Sequence, residues 1–355
     1  MNRYGGEKVI LEFCLYVFFT ILITYILFLT FTEYNPKLIS DENIENNQDE
    51  VGQVNKEMTI ITSNIGFGAH DKDFSFFMDG GKLSRAISKD RVINNVTSLG
   101  NLLLKENPTF ALFQEIDLNS TRSYRVNQYK IYKNIFKNYA TSFGINFNVK
   151  WIAYPFRKPQ GKILAGQGTF SHLKIKLSER VSLPINKTWP YRLFSLKRCA
   201  LVTRIPIENK KELVIINSHL SAFDRGGIIR KKQLKFVQGY LESEYSKGNY
   251  IIIGSDWNHQ MPNTNPFIFK SKEKWPKWLQ KMPNNFNPKG FKWFFDKDTP
   301  SCRTVAKPYR VGENFKCIVD GFLVSDNIEV TSIHGINLDF VHSDHNPVKL
   351  KFKLK

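Results

Sequence analysis

Polar side chains able to act on a phosphate ester close several hydrophobic runs in this chain. Asn64 ends TIITSN, Glu115 lies in FALFQEID, His219 ends LVIINSH, and Asp256 ends YIIIGSD with Asn258 two residues on. Asp320 follows CIV, and Asp344 and His345 precede NPVKLKF. Such groups do not serve an apolar core, because burying an unpaired polar group costs roughly 1–3 kcal/mol. Several strand ends converging on one polar cluster is instead how α/β proteins build sites. Glu115 offers the hard oxygen that Mg²⁺ prefers, and Asn64 could hold the ion or one of its waters. On a strand, Asp256 and Asn258 would share a face, one orienting a water while the other donates to a phosphoryl oxygen. His345 beside Asp344 places an imidazole and a carboxylate near the reacting centre, and Asp320 could fix the imidazole tautomer. His219 suits a phosphate oxygen or a leaving group. Together these groups read as chemistry of hydrolysis at phosphorus.

Each position also has an ordinary reading: Asn64 as a strand-end turn former, Asp320 as a helix cap, Asp344 in a surface turn, Asn258 as a loop amide. Their joint order and strand context outweigh those readings. His70, His172, His334 and His342 are read as ordinary polar or half-buried residues. His259 stands apart because it follows Asn258 directly and could touch substrate, and Arg122, in STRSY shortly after Glu115, could reach a phosphate.

At these residues the chain resembles the endonuclease/exonuclease/phosphatase superfamily, whose fold is that of the pancreatic deoxyribonuclease type. The resemblance runs from about Met58 to the C-terminus and implies an α/β four-layer sandwich of two packed β-sheets flanked by helices. It implies Glu115 as metal ligand with Asn64 as its amide neighbour and Asp344 near the metal. It further implies that Asp256 positions the attacking water, Asn258 contacts phosphate, Asp320 orients His345, and His219 is the second histidine of the deoxyribonuclease, sphingomyelinase and inositol-phosphatase branches. Two departures stand out. NSHLSAFD replaces the Asn/Tyr-containing segment of the abasic-site repair branch, and the usual Gly-Asp-x-Asn is stretched to Gly254-Ser255-Asp256-Trp257-Asn258.

The elements that must position these groups are legible as apolar runs alternating with helical patterns such as RVINNVTSLGNLLLKE and RKKQLKFVQGYLESEY, which favours α/β. No internal repeat is visible. Residues 9–31 form an apolar run long enough to cross a hydrocarbon core of ~30 Å, read as a single transmembrane anchor rather than a cleaved signal peptide. Arg3 and Lys8 precede it and SDENIENNQDEVGQ follows, so the tip (residues 1–8) is expected in the cytoplasm and the domain outside the cell membrane. Residues 32–57 read as a flexible polar linker, and residues 58–355 as one catalytic domain. Four cysteines without metal spacing are expected to leave Cys199, Cys302 and Cys317 unconnected, although export would permit a Cys302–Cys317 disulfide.

The formal net charge is +19, which favours anionic partners; general enrichment in Lys, Asn, Ile and Phe accounts for part of it. Two stretches mix aromatics with cations: KTWPYRLFSLKR, and the Trp-rich segment from Pro262 to Arg303, which is expected to overhang the site. Pinning of long loops is their competing role. The expectation is a membrane-anchored, Mg²⁺-dependent (Mn²⁺ possible) phosphoester hydrolase acting on nucleic acid, a phospholipid headgroup or a sugar phosphate. A nuclease-type phosphodiesterase is favoured, followed by a sphingomyelinase-like lipid phosphodiesterase and then a sugar or inositol phosphatase. Outside enzymes, the alternative is a catalytically inactive surface binding protein. No obligate protein partner is evident.

Overall fold

Period-two alternation of β-branched and aromatic residues builds two seven-stranded mixed sheets, seen in a computed structural model that describes residues 3–355. Met1 and Asn2, part of the expected tip, lie outside the described residues. The first sheet runs, in spatial order, Ile328–Gly335, Val348–Leu354, Met58–Asn64, Phe110–Asp117, Gly161–Ser171, Ala140–Ile152 and Ile44–Glu45. The second runs Ile39–Asp41, Leu177–Ser182, Cys199–Pro206, Glu212–His219, Tyr250–Asp256, Asp320–Ser325 and Phe291–Phe294.

Alternation decides which side chains face where. Ile60, Leu112, Ile215, Ile252, Phe322 and Leu350 point between the sheets and form the central core. Their neighbours point outward: Ile61 and Phe113 pack under helices α2 (Lys89–Lys105) and α3 (Gln128–Ile135), as Ile216 and Ile251 do against α4 (Ile228–Ser246). The result is the α/β four-layer sandwich, preceded by the apolar helix α1 (Arg3–Phe31). Glu7–Phe31 is long and apolar enough to cross a membrane. Ser88 caps α2 by accepting from Arg91 N, which replaces a partner that the first turn lacks.

Each sheet carries one parallel pair. Met58–Asn64 runs parallel to Phe110–Asp117, with α2 between them in the chain, and Glu212–His219 runs parallel to Tyr250–Asp256, with α4 between. A parallel pair needs such a crossover, and the crossover returns the chain so that both C-terminal strand ends open on the same edge. Asn64, His219 and Asp256 are the last residues of three of these strands, and Glu115 lies near the end of the fourth.

The segment expected to be a flexible linker is structured in part. Ile39–Asp41 pairs with Leu177–Ser182, and Ile44–Glu45 pairs with Ala140–Ile152, so the segment caps an outer edge of each sheet. Asn47 adds side-chain bonds to Ile175 N and O. The polar composition that suggested a tether suits an edge strand, which needs backbone partners and few apolar side chains. Cys199, Cys302 and Cys317 are buried and free, although Cys302 and Cys317 face each other across a short antiparallel pair.

Candidate functional site

At this strand-end edge the backbone leaves regular geometry at the positions that present functional groups. A register irregularity between Phe113 and Ile116 gives Glu115 a left-handed φ of 57°. Such a bulge re-aims a side chain that regular alternation would place elsewhere. Gly66, two residues past Asn64, has φ 52°, and a Cβ there would fall 2.7 Å from His70 Cβ and 2.9 Å from Asp344 Oδ1. Only glycine therefore permits this turn. Asn258 also has a positive φ of 50°. The strand ends at Asp256, so Asp256 and Asn258 do not share a strand face, contrary to expectation; a turn separates them.

Asp256 is the hub. Its Oδ2 accepts from Asn64 Nδ2 at 3.0 Å and lies 3.3 Å from His219 Nε2 and 3.7 Å from His345 Nε2. Its Oδ1 accepts from Asn258 N at 2.9 Å. His345 Nδ1 lies 2.8 Å from Asp320 Oδ2, and Asp320 is the cross-strand neighbour of Asp256. The loop carrying Asp344 and His345 is tied to the first sheet by Ser343 Oγ, which donates to Asn64 O at 2.9 Å. Glu115 Oε1 accepts from Asn64 Nδ2 at 3.3 Å and lies 4.0 Å from His219 Nε2.

Burial and neighbouring charge set the proton affinities. Desolvation pushes the Asp256 carboxyl up to about 6; Asp320 adds to the rise, while His345 and the Asn64 bond oppose it. Burial works against the charged form of His345, but Asp320, Cys302 and Asp256 outweigh it and hold the imidazole well above its ordinary value. His219 is driven well below its ordinary value by burial, then by Arg198 and His345. The site therefore pairs a histidine held protonated with one held neutral.

Several candidate residues occupy different roles from those expected. Asn64 turns its oxygen to Gly66 N and its amide nitrogen toward Glu115 and Asp256, so in this arrangement it donates to carboxylates. The Asn258 amide donates to Leu220 O. Arg122 is held by Asp117 through Nε and Nη2 (3.1 and 2.9 Å) and stacks on Phe67, which commits it to the wall of the site. His259 is bound to Trp257 O at 2.7 Å, is pushed down to about 4 by burial, and does not line the cavity. Asp344 lies 2.9 Å from His70 Nδ1. In the Trp-rich segment, Trp278 lines the cavity, whereas Trp293 packs on Trp257 and Trp275 on Phe315.

Sequence reasoning missed two features and left a third, Arg198, as one cation of the KTWPYRLFSLKR stretch. His70 meets Asp344 although 274 residues separate them. Arg198 is buried beside the site, and its Nη1 has no hydrogen-bond partner among the described residues. Burial lowers its proton affinity while Glu115 and Asp256 raise it. A buried guanidinium that lacks partners is suited to an anion. A buried amide network forms the floor. Gln114 Nε2 donates to Thr62 Oγ1 and Asn217 Oδ1, and Asn217 Nδ2 donates to Phe113 O and Gly168 O. These bonds join the two sheets directly below the site.

Glu115 offers one oxygen ligand of the kind a hard divalent ion takes. This carboxylate is partly exposed and has no Lys or Arg within ion-pair distance among the described residues. Ligand atoms of Asp256, Asp320 and His345 also lie within 4.8 Å of one another, although the Asp320–His345 bond already occupies one face of that imidazole.

Fold and site define an α/β sandwich with a polar cluster at one edge, and this is the fold of the endonuclease/exonuclease/phosphatase proteins. Solved structures share it at low identity. The chain is similar to an endonuclease/exonuclease/phosphatase from Beutenbergia cavernae (13% identity, 84% of this chain and 72% of that one, TM-score 0.56). It is also similar to a protein of that family from Leptotrichia buccalis (13% identity, 84% and 100% covered, TM-score 0.55). A third similar structure is D. rerio TDP2 complexed with single strand DNA product (16% identity, 84% and 100% covered, TM-score 0.53). No protein-family model matches the sequence, and no curated protein matches it.

Proposed function

We propose that this protein is a membrane-anchored, divalent-metal-dependent phosphoester hydrolase, with a phosphodiester as the preferred bond and the domain outside the cell membrane. The observation that carries the reading is the Asp320–His345–Asp256 chain beside Glu115, in a fold shared with proteins described as endonuclease/exonuclease/phosphatase. Mg²⁺ or Mn²⁺ held at Glu115 would supply Lewis-acid charge to the phosphoryl oxygens.

The remaining chemistry belongs to the chain itself. Asp256 orients a water and takes its proton as the water oxygen bonds to phosphorus; a carboxyl near 6 is suited to that exchange. The bond from phosphorus to the leaving oxygen breaks as His345, held protonated by Asp320, gives that oxygen a proton. Neutral His219 and cationic Arg198 face the phosphoryl oxygens, and Asn64 keeps the two carboxylates apart by donating to both.

The nucleic-acid reading draws support from the net charge and from the DNA product named for D. rerio TDP2. Among the described residues, however, the cavity is lined by three arginines and by no lysine. The test is turnover of methyl p-nitrophenyl phosphate by the full-length protein: EDTA should abolish it and Mg²⁺ or Mn²⁺ restore it. Unchanged turnover after exhaustive chelation would remove the metal from the proposal, and no turnover with either ion would remove the hydrolase.

A further inference from the structure

The polar cluster occupies one part of a cavity of about 930 Å³, far more room than a phosphoryl group needs. The remaining wall is mainly apolar, with Phe67, Phe76, Phe77, Phe147, Ile152 and Phe194 prominent in it, although Asp79, Asn146, Gln160 and Asn186 also line it. A cavity of this size and lining suits an organic ligand with few polar groups.

The same wall holds the end of the membrane helix. Phe147, Ile152, Phe194 and Leu196 line the cavity and also pack with Tyr25, Ile26 and Leu29 of α1. Polar contacts lock this arrangement: Tyr25 Oη donates to Trp151 O at 2.9 Å, Trp189 Nε1 donates to Thr30 Oγ1 at 3.2 Å, and Glu33 pairs with Arg192 and Lys197 at 3.1 and 2.7 Å. Around the junction, Tyr154, Phe156, Trp189 and Tyr191 are each more than half exposed, the composition of a membrane-interface belt. Tyr154 and Tyr191 belong both to that belt and to the cavity wall.

We infer that the substrate is an amphiphile, a phosphodiester bearing a long hydrocarbon chain, taken from the membrane leaflet with its chain in the apolar part of the cavity and its phosphate at Asp256 and His345. This rests on the hydrolase reading above and names the substrate class of that site. The lysine charge outside the cavity then serves attraction to an anionic surface rather than substrate contact.

The test uses full-length protein and alkyl p-nitrophenyl phosphate diesters from methyl to octyl, kept below their aggregation concentrations. Each methylene moved from water into the apolar wall should raise kcat/KM about three- to fourfold, so with all seven added methylenes buried octyl should exceed methyl by about 10³–10⁴-fold. Phe223 and Ile228 are half or more exposed on the cavity wall. The double variant Phe223→Asp, Ile228→Asp should lose most of that gain, read as the octyl-to-methyl ratio of kcat/KM within the same variant. Quenching of tryptophan fluorescence by octylphosphonate, measured against methylphosphonate, reads binding without turnover. With a dodecyl diester in phosphatidylcholine vesicles, uptake from the leaflet makes the rate follow surface density; a rate following bulk concentration overturns that source. Methyl turnover with no dependence on chain length overturns the amphiphile and leaves the hydrolase. Chain-dependent phosphonate binding without turnover of any diester overturns the hydrolase and leaves the amphiphile. If neither turnover nor binding responds to chain length, the inference fails.

Discussion

Replacing Asp320 by Asn removes one charge from the buried pair with His345 while keeping an oxygen able to accept from Nδ1. At the 2.8 Å separation, two unit charges in an effective dielectric of 20 attract by ~6 kcal/mol. After the desolvation of both groups is subtracted, a charge-assisted hydrogen bond of this kind contributes about 1.5–3 kcal/mol, or roughly one to two pK units. Without that attraction, only Cys302 and Asp256 remain to oppose burial, and the charged imidazole is less favoured. The His345 ring resonances, followed by NMR against pH, should therefore titrate at least one unit lower in Asp320→Asn. The rate should fall by ~10²–10³, since the leaving oxygen loses its proton donor. Stability supplies an independent sign. A raised histidine value stabilises fully below the unfolded value of about 6.5 and is lost as pH rises through the folded value. The wild-type advantage in melting temperature should accordingly be roughly 3–6 °C at pH 6 and shrink toward zero at alkaline pH. An unchanged His345 titration, or a rate within threefold of wild type, would refute the assignment of Asp320 as the group that holds His345 protonated.

Two other substitutions separate binding from folding. Arg198→Met should lower kcat/KM by about 10–100-fold, the value of a charge-assisted bond to phosphate, with melting unchanged or slightly raised because a desolvated cation is gone; a large loss of stability with normal kinetics would make Arg198 a packing residue. Asn217→Ala should cost about 2–4 kcal/mol in denaturant unfolding, since Gln114 and two backbone carbonyls lose their partner together, and stability within 0.5 kcal/mol of wild type would show that the amide floor does not join the sheets.

Much of this protein is determined locally. Apolar alternation marks the strands, and a polar residue closing such a run is conspicuous because the core offers it nothing. Asn64, His219 and Asp256 are legible as candidates on those grounds, Glu115, Asp320 and His345 as polar residues beside or within such runs, and the crossover helices and the apolar helix α1 by their own patterns. Residues 39–45 escape a reading by composition because an edge strand takes its stability from backbone partners in the neighbouring strand, which composition does not encode.

What only the tertiary structure decides is distance. Asn64 meets Asp256 across 192 residues, and His70 meets Asp344 across 274; neither pairing has a local signature. The left-handed backbone at Glu115 and Asn258 re-aims side chains that strand periodicity would place on other faces. Arg122 and His259 carry the right chemistry for a phosphate, yet Asp117 and Trp257 O claim their donors first, because a buried polar group takes whatever partner the fold brings nearest. The apolar cavity is likewise assembled from segments far apart in the chain. Its shape depends on how the two sheets, the loops at their edge and the end of α1 pack together, and packing is a property of the folded whole.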